Sequence, residues 1–190
     1  MEKQKLIIVE GPQGTGKSTL TNYLRDNIAG SNLYRLSGQK DKTQTGKEYS
    51  IKMYDALLNY LEAMQEIPMD LIFDRTFFTE EVYARLGYKE YEFTDVYEKL
   101  IERLVSLNYD IYFISLYLQN VELFKERLAR DSHHNYQSFS VENSVNQQKI
   151  YREISDYLET KGIGVIRLAM DDFEESYKII DDTFELKRKR

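Results

Sequence analysis

The stretch from Leu6 to Leu20 constrains this chain more than any other part of its sequence. Its first four residues are apolar, which is typical of a strand buried on both faces of a parallel sheet. Gly11 to Ser18 then match the pattern G-x-x-x-x-G-K-[ST], a phosphate-binding loop. Beyond this loop Leu20 and Leu24 have the spacing of residues on one helix face. The sequence therefore predicts a strand, a phosphate-binding loop and a helix, in the order that the motif requires.

Each residue type in this loop suits the binding of a polyphosphate. Glycines let successive backbone N–H groups approach phosphate oxygens closely, and the following helix contributes the positive end of its dipole. We predict that Lys17 stabilises the β- and γ-phosphates of ATP and that the Ser18 hydroxyl binds Mg²⁺. ATP and Mg²⁺ are thus the expected cofactors. The candidate nucleotide-binding residues are Gly11, Gln13, Gly14, Thr15, Gly16, Lys17, Ser18 and Thr19.

Length, composition and charge narrow the class of protein. A chain of 190 residues can bury a sizeable core, and we expect one domain over residues 1–190. The sequence contains no apolar run of the roughly 18 residues that a membrane-spanning helix needs. It contains no cysteine and starts without a signal-peptide pattern, which favours a cytoplasmic location. The net charge of −6 favours a small-molecule substrate and makes a nucleic-acid partner unlikely.

The rest of the chain alternates short apolar runs with helical patterns. Strands are predicted near residues 33–36, 71–73, 110–116 and 165–168. Helices are predicted at about residues 17–28, 50–64, 79–86, 95–107, 121–130, 144–161 and 173–184. We place Thr79 at the N-cap of the third of these helices. This alternation predicts a three-layer α/β/α fold with a five-stranded parallel sheet.

Asp74 and Arg75 follow a buried apolar strand, at the sheet edge where parallel-sheet proteins bind ligands. We predict that Asp74 holds Mg²⁺ together with Ser18. Arg75 would then lie beside the transferred phosphoryl group or the acceptor. The alternative is that the two residues form an ion pair at the strand end.

Arg127 and Arg130 lie three residues apart, on one face of a predicted helix. A polar segment follows them, and we predict a catalytic arginine lid over about residues 127–143. A solvated charged helix face explains the same pattern equally well. His133 and His134 lie in this segment, but no third ligand is spaced to join them, so we assign no metal site there.

These motifs resemble the thymidylate kinase and deoxynucleoside kinase superfamily of P-loop kinases. Residues 10–18, with the sequence Glu-Gly-Pro-x-Gly-x-Gly-Lys-Ser, are similar to the deoxynucleoside kinase loop. Asp74-Arg75-Thr76 resembles the Asp-Arg-Tyr segment of thymidylate kinases, and Thr79 and Tyr83 match the downstream serine and tyrosine of that segment. The resemblance implies a P-loop kinase fold, a substrate-binding role for Thr79 and Tyr83, and lid arginines at the positions given above.

The chain departs from both families on the acceptor side. Gln13 replaces the loop Asp of thymidylate kinases, and Arg35-Leu36-Ser37 replaces their Arg-Glu-Pro. No Glu occurs from Leu33 to Lys47, where deoxynucleoside kinases carry a general base. A nucleoside hydroxyl benefits from such a base, whereas a monophosphate already presents an anionic oxygen and needs cations. The cationic residues here, Arg35, Lys40, Lys42 and Lys47, favour a monophosphate held by Arg35 and Arg75, although Asp74 or Glu10 could serve as a base.

The leading interpretation is an ATP- and Mg²⁺-dependent kinase of a deoxynucleoside monophosphate, similar to thymidylate kinase. Two other enzyme activities stay open: a deoxynucleoside kinase, and a kinase acting on a base or an end within a nucleic-acid strand. The non-enzyme alternative is a P-loop module that senses a nucleotide and signals to a partner. A homodimer is among the assemblies that we consider.

Overall fold

The computed structural model of the chain describes residues 3–130 and 140–186. Its strands are β1 Lys5–Glu10, β2 Ser31–Arg35, β3 Asp70–Asp74, β4 Asp110–Tyr117 and β5 Gly164–Ala169. Its helices are α1 Lys17–Asn27, α2 Gln44–Met64, α3 Phe77–Arg85, α4 Thr94–Val105, α5 Glu122–Ala129, α6 Val141–Thr160 and α7 Phe173–Phe184. Within these residues no helix combines the length and the apolar character needed to cross a membrane. His133 and His134, and most of the expected lid segment, lie outside the described residues.

The five strands form one parallel sheet in the order β2-β3-β1-β4-β5. β1 occupies the centre, where Ile7 pairs with Ile72 of β3 on one side and with Tyr112 of β4 on the other. The carboxyl ends of β1 and β3 therefore meet at the same edge of the sheet, since Val9 pairs with Asp74. The predicted five-stranded parallel sheet is confirmed.

Both faces of the sheet are buried, as the unbroken apolar run in β1 predicts. Leu6 and Ile8 face a core cluster to which α2, α3, α4 and α6 contribute. Ile7 and Val9 face a second cluster that includes residues of α1, α5 and α7. The helices thus form a layer on each side, and the predicted three-layer architecture is confirmed.

Two helix starts differ from the sequence-based expectation. α2 begins at Gln44 instead of Ser50, because Gly46 is part of its first turn and allows the backbone carbonyl of Asp41 to come close. α3 begins at Phe77, so the predicted N-cap role of Thr79 is wrong and Thr76 is the N-cap. Thr79 lies inside the first turn, and its hydroxyl is used in a tertiary hydrogen bond described below.

Replacing Gly46 by Ala tests the tight contact between the loop after β2 and the first turn of α2. In an ordinary helix interior this change stabilises a protein by up to about 1 kcal/mol. A Cβ at Gly46 would lie 2.1 Å from the carbonyl oxygen of Asp41. We therefore expect the free energy of unfolding, measured by urea denaturation, to fall by about 1–3 kcal/mol. Lys52→Ala, at an exposed site of the same helix, should stay within about 0.5 kcal/mol of the parent. Increased stability of Gly46→Ala would contradict the predicted clash.

Candidate active site

The phosphate-binding loop connects the end of β1 to the start of α1, at the carboxyl edge of the sheet. Gly16 has a φ of 96° and precedes the first helical residue, and a Cβ there would lie 3.0 Å from the ring of Phe173. This position therefore requires glycine. Lys17 is 6% exposed, and its Nζ donates to the carbonyl oxygens of Gly11 and Pro12, each at 2.7 Å. The lysine thus lies across the loop in which phosphates are expected.

Ser18 and Asp74, predicted to share Mg²⁺, lie next to each other. The Ser18 hydroxyl donates to Oδ2 of Asp74 at 3.2 Å, and the Thr21 hydroxyl lies 3.5 Å from the same oxygen. A hydroxyl and a carboxylate are hard oxygen donors, so the pair fits Mg²⁺. Mg²⁺ in phosphoryl-transfer sites takes most of its remaining ligands from phosphates and water. No cluster of three or more acidic, His or Cys ligands occurs among the described residues.

Arg75 occupies a strained turn between β3 and α3. Its φ is 71°, a left-handed value that non-glycine residues rarely adopt and that occurs preferentially at functional sites. The backbone N–H of Arg75 donates to the carbonyl of Val9 at 3.2 Å. Its guanidinium donates to Oε1 of Gln13 in the phosphate-binding loop at 3.0 Å. The turn therefore directs Arg75 towards the nucleotide site.

Arg35 contributes a second cation at this edge, whereas Lys47 does not. The guanidinium of Arg35 lies 3.6 Å from Asp74 and also donates to the side chain of Asn22; its side chain is 52% exposed. The ammonium group of Lys47 instead pairs with Asp95 of α4 at 3.2 Å. The expectation that Lys47 supplies charge to the acceptor loop is therefore wrong, because the earlier start of α2 turns this residue towards α4.

The loop after β2 is held by α3 and the segment that follows it. Oε1 of the buried Glu80 lies 2.8 Å from the ammonium group of Lys89, and Oε2 accepts from the backbone N–H of Gln39 at 3.3 Å. The backbone N–H of Glu90 donates to the carbonyl of Lys42 at 2.8 Å. The protein tolerates a buried carboxyl group at Glu80 because Lys89 pairs with it.

The two substrate-binding candidates on α3 differ in access. Thr79 is 4% exposed, and its hydroxyl donates to Glu10 at 2.7 Å, so this side chain is enclosed in the protein interior. Tyr83 is half-buried and packs edge-on against Tyr88. Tyr83 therefore keeps some exposed surface, whereas Thr79 is enclosed; a substrate-binding role for Tyr83 stays a prediction.

The predicted lid arginines are not brought together. The guanidinium of Arg127 donates to the carbonyls of Thr15 at 3.3 Å and Met170 at 2.8 Å, and it lies over the ring of Phe173. The side chain of Arg130 is 77% exposed and lies 3.8 Å from Glu126. Arg127 thus braces the phosphate-binding loop from outside, and a catalytic role for either arginine stays a prediction.

Glu10 and Lys17 are buried groups of opposite charge whose pKa values move towards each other. Burial raises the pKa of Glu10 to about 7, although hydrogen bonds from Thr79 and Thr76 oppose the shift. Burial, together with the positive charge of Arg75, lowers the pKa of Lys17 to about 7. Both groups therefore titrate near neutral pH when no phosphate is bound.

Sequence reasoning missed Tyr151, which is 1% exposed and donates to Glu10 at 3.2 Å. Its position in α6, with Ile154 and Leu158, follows the apolar stripe of an ordinary core helix. The contact with Glu10 spans 141 residues of sequence. No local signal could have indicated it.

The stability of the ligand-free protein should depend on pH through Glu10 and Lys17. Between about pH 4.5 and pH 7 the folded chain keeps a proton on Glu10 that the unfolded chain releases, so stability falls as pH rises. Above about pH 7 the unfolded chain keeps a proton on Lys17 that the folded chain has lost, so this contribution rises with pH. Urea denaturation of the parent and Glu10→Gln should give free energies that diverge by roughly 1–3 kcal/mol over pH 5–7. Parallel curves over that range would show that the Glu10 assignment is wrong.

Solved structures share this fold, whereas no family model and no curated protein matches the sequence. A deoxyadenosine kinase from M. mycoides gives a TM-score of 0.66 at 17% identity, covering 95% of this chain and 98% of the other. Thymidylate kinase from Candida albicans gives 0.67 at 15% identity, covering 98% and 96%. The deoxyadenosine kinase with bound dCTP gives 0.59 at 15% identity, covering 95% and 98%. The chain therefore has the fold of the P-loop nucleoside and nucleotide kinases.

Proposed function

We propose that the protein transfers the γ-phosphoryl group of ATP to a deoxynucleoside monophosphate. The observation that carries this proposal is the placement of Ser18 and Asp74, 3.2 Å apart, beside Lys17 and with Arg35 and Arg75 at the same sheet edge. A phosphate-binding loop alone would serve any nucleotide-binding protein. Arg35 at the end of β2 and Arg75 after β3 would bind a second anion. An enzyme with a phosphorylated acceptor requires such a site.

The phosphoryl group passes directly from ATP to the acceptor, so the protein mainly positions the substrates and stabilises charge. An oxygen of the acceptor phosphate forms a bond to the γ-phosphorus, and the bond from that phosphorus to the β,γ-bridging oxygen breaks, leaving ADP. Lys17 would stabilise negative charge on the transferred group, and Arg75 would hold the acceptor phosphate in line with it. Ser18 and Asp74 would hold Mg²⁺, which supplies neutralising charge to the phosphates when bound.

The carboxylates near the site are engaged in contacts with the protein, which favours a monophosphate over a nucleoside as the acceptor. Glu10 has no exposed surface, and its oxygens accept hydrogen bonds from protein groups. Glu80 is buried against Lys89. Asp74 is next to Ser18 and Arg35, where it would serve the metal. None of these three carboxylates is free to remove a proton from a sugar hydroxyl, which is the task of a general base.

The structural neighbours support a deoxynucleoside or a deoxynucleotide as the acceptor class. The M. mycoides deoxyadenosine kinase structure contains dCMP and dCDP as products, so this fold accommodates deoxynucleoside mono- and diphosphates. The same neighbour is named for a nucleoside substrate, which makes a deoxynucleoside kinase the second candidate function for this chain. The phosphoryl-transfer assay with the four deoxynucleosides and their monophosphates identifies the base that the protein recognises.

Labelled ATP offered with the four common deoxynucleosides and with their 5′-monophosphates distinguishes the two activities. We expect label in deoxynucleoside diphosphates, because Arg35 and Arg75 favour an acceptor that already carries a phosphate. Arg75→Ala should raise the acceptor KM by about tenfold or more, equivalent to roughly 1.5–3 kcal/mol, and change the affinity for ATP little.

Lys17→Ala serves as the negative control, and it should slow transfer by about 10²–10³-fold. Lys47→Ala, which alters a cation paired with Asp95 outside the site, should keep the parent rate. Label only in monophosphates made from nucleosides would establish the second candidate. Tight ATP binding without transfer to any small acceptor would favour a nucleic-acid kinase or a nucleotide-sensing module.

A further inference from the structure

Glu10 ends β1 immediately before the phosphate-binding loop, and it has no exposed surface. Its Oε1 accepts from the backbone N–H of Thr76 at 2.6 Å and lies 3.3 Å from the hydroxyl of the same residue. Its Oε2 accepts from Thr79 at 2.7 Å and from Tyr151 at 3.2 Å. One carboxylate therefore connects three parts of the protein: the start of the phosphate-binding loop, the first turn of α3, and α6.

The bond from Thr76 to Glu10 fixes the turn that carries Arg75. Two successive N–H groups of this turn bind the end of β1: Arg75 to the carbonyl of Val9, and Thr76 to the Glu10 carboxylate. Arg75 needs such support because a left-handed φ costs a non-glycine residue about 1–3 kcal/mol. Without the second bond, the turn can relax to an ordinary φ, and the guanidinium would lose its position beside Gln13.

A carboxylate suits this position better than a neutral side chain. Hydrogen bonds to a charged acceptor are shorter and roughly twice as strong as those between neutral groups, so the bond from Thr76 is strongest when the Glu10 carboxyl group is ionised. A carboxylate also offers two oxygens with about four lone pairs, which matches the donors from Thr76, Thr79 and Tyr151. Gln would keep one accepting oxygen for the Thr76 amide, and Ala would keep none.

We propose that Glu10 is a positioning residue for phosphoryl transfer, which holds the Arg75 turn and α6 in a fixed relation to the phosphate-binding loop. The carboxylate does not touch the reacting atoms; it acts through Arg75. This proposal rests on the function proposed above, because a fixed Arg75 affects the rate only if it aligns an acceptor phosphate with ATP. A misplacement of about 1 Å in such an alignment can lower the rate by about 10²-fold.

The buried Glu81 provides a matched control for Glu10. It is 0% exposed and lies on the same helix as Thr79, but its Oε1 accepts from Arg85 at 2.7 Å and from Thr94 at 2.8 Å, away from the phosphate-binding loop. Glu81→Gln therefore replaces a buried, hydrogen-bonded carboxyl group without altering the Arg75 turn. Any effect that a buried Glu-to-Gln change has on stability alone should occur in this variant as well.

Steady-state kinetics of Glu10→Ala, Glu10→Gln and Glu81→Gln test the proposal, with active sites counted by titration with a non-hydrolysable ATP analogue. We expect Glu10→Ala to lower kcat by roughly 10–100-fold and to raise the acceptor KM, with the Kd of the ATP analogue within about threefold of the parent. Glu10→Gln should recover part of this loss, since it keeps the bond to Thr76, and Glu81→Gln should match the parent. Normal kcat and acceptor KM per active site in Glu10→Ala would overturn the proposal and leave Glu10 a stability residue.

Hydrogen exchange of the Thr76 amide separates this proposal from the function on which it rests. In Glu10→Ala this amide should exchange at least tenfold faster than in the parent, as expected when a buried hydrogen bond is lost. The exchange rate of the Thr76 amide in Glu81→Gln should equal that in the parent. If the parent protein transfers phosphate to no acceptor, the proposed function is wrong and the exchange rate alone decides whether Glu10 holds the turn. Equal exchange in Glu10→Ala and the parent would overturn the positioning role.

Discussion

The pairing of β1 between β3 and β4 is the constraint on which the candidate site depends. Because both edges of β1 are hydrogen-bonded and both faces are buried, the end of this strand has one position relative to its neighbours. The phosphate-binding loop leaves from that end, and Asp74 arrives beside it in the next strand. This edge therefore concentrates charge: Lys17 and Glu10 are buried there together with Asp74, and their mutual placement follows from strand register. Bound phosphates would add negative charge beside Lys17.

The sequence predicts those parts of the structure that follow from local patterns of residues. The glycine spacing and the apolar strand before it predict that Lys17 and Ser18 lie at the end of β1, and the apolar run ending in Asp74 predicts that this carboxylate lies at the same edge. In the structure the Ser18 hydroxyl is 3.2 Å from Asp74, and the roles of these residues stay predictions. Alternation of strands and helices was sufficient for the sheet and the three layers, because parallel strands joined by helices leave few other topologies. The same strand-end argument places Arg75 at this edge, where its guanidinium contacts Gln13 of the phosphate-binding loop; its role towards an acceptor stays a prediction.

The features that the sequence does not predict depend on contacts between residues that are distant along the chain. Thr79 matches an N-cap pattern locally, but its hydroxyl binds Glu10, 69 residues earlier in the chain. Gly46 lies before the predicted helix of residues 50–64, yet it allows α2 to begin early and so redirects Lys47. In each case a tertiary contact overrides a local preference, which is the usual reason why such predictions fail.

The central claim is that this sheet edge aligns ATP with an acceptor that already carries a phosphate. Its most direct test is the binding of bisubstrate analogues in which adenosine and a deoxynucleoside are joined by a chain of phosphates. Such a compound spans both sites best when its chain has one phosphate more than the two substrates together, because the additional unit bridges the gap between acceptor and donor. We predict that the five-phosphate analogue, which matches ATP with a monophosphate, binds at least about tenfold tighter than the four-phosphate analogue. Tighter binding of the four-phosphate analogue, which matches ATP with a nucleoside, would contradict the account.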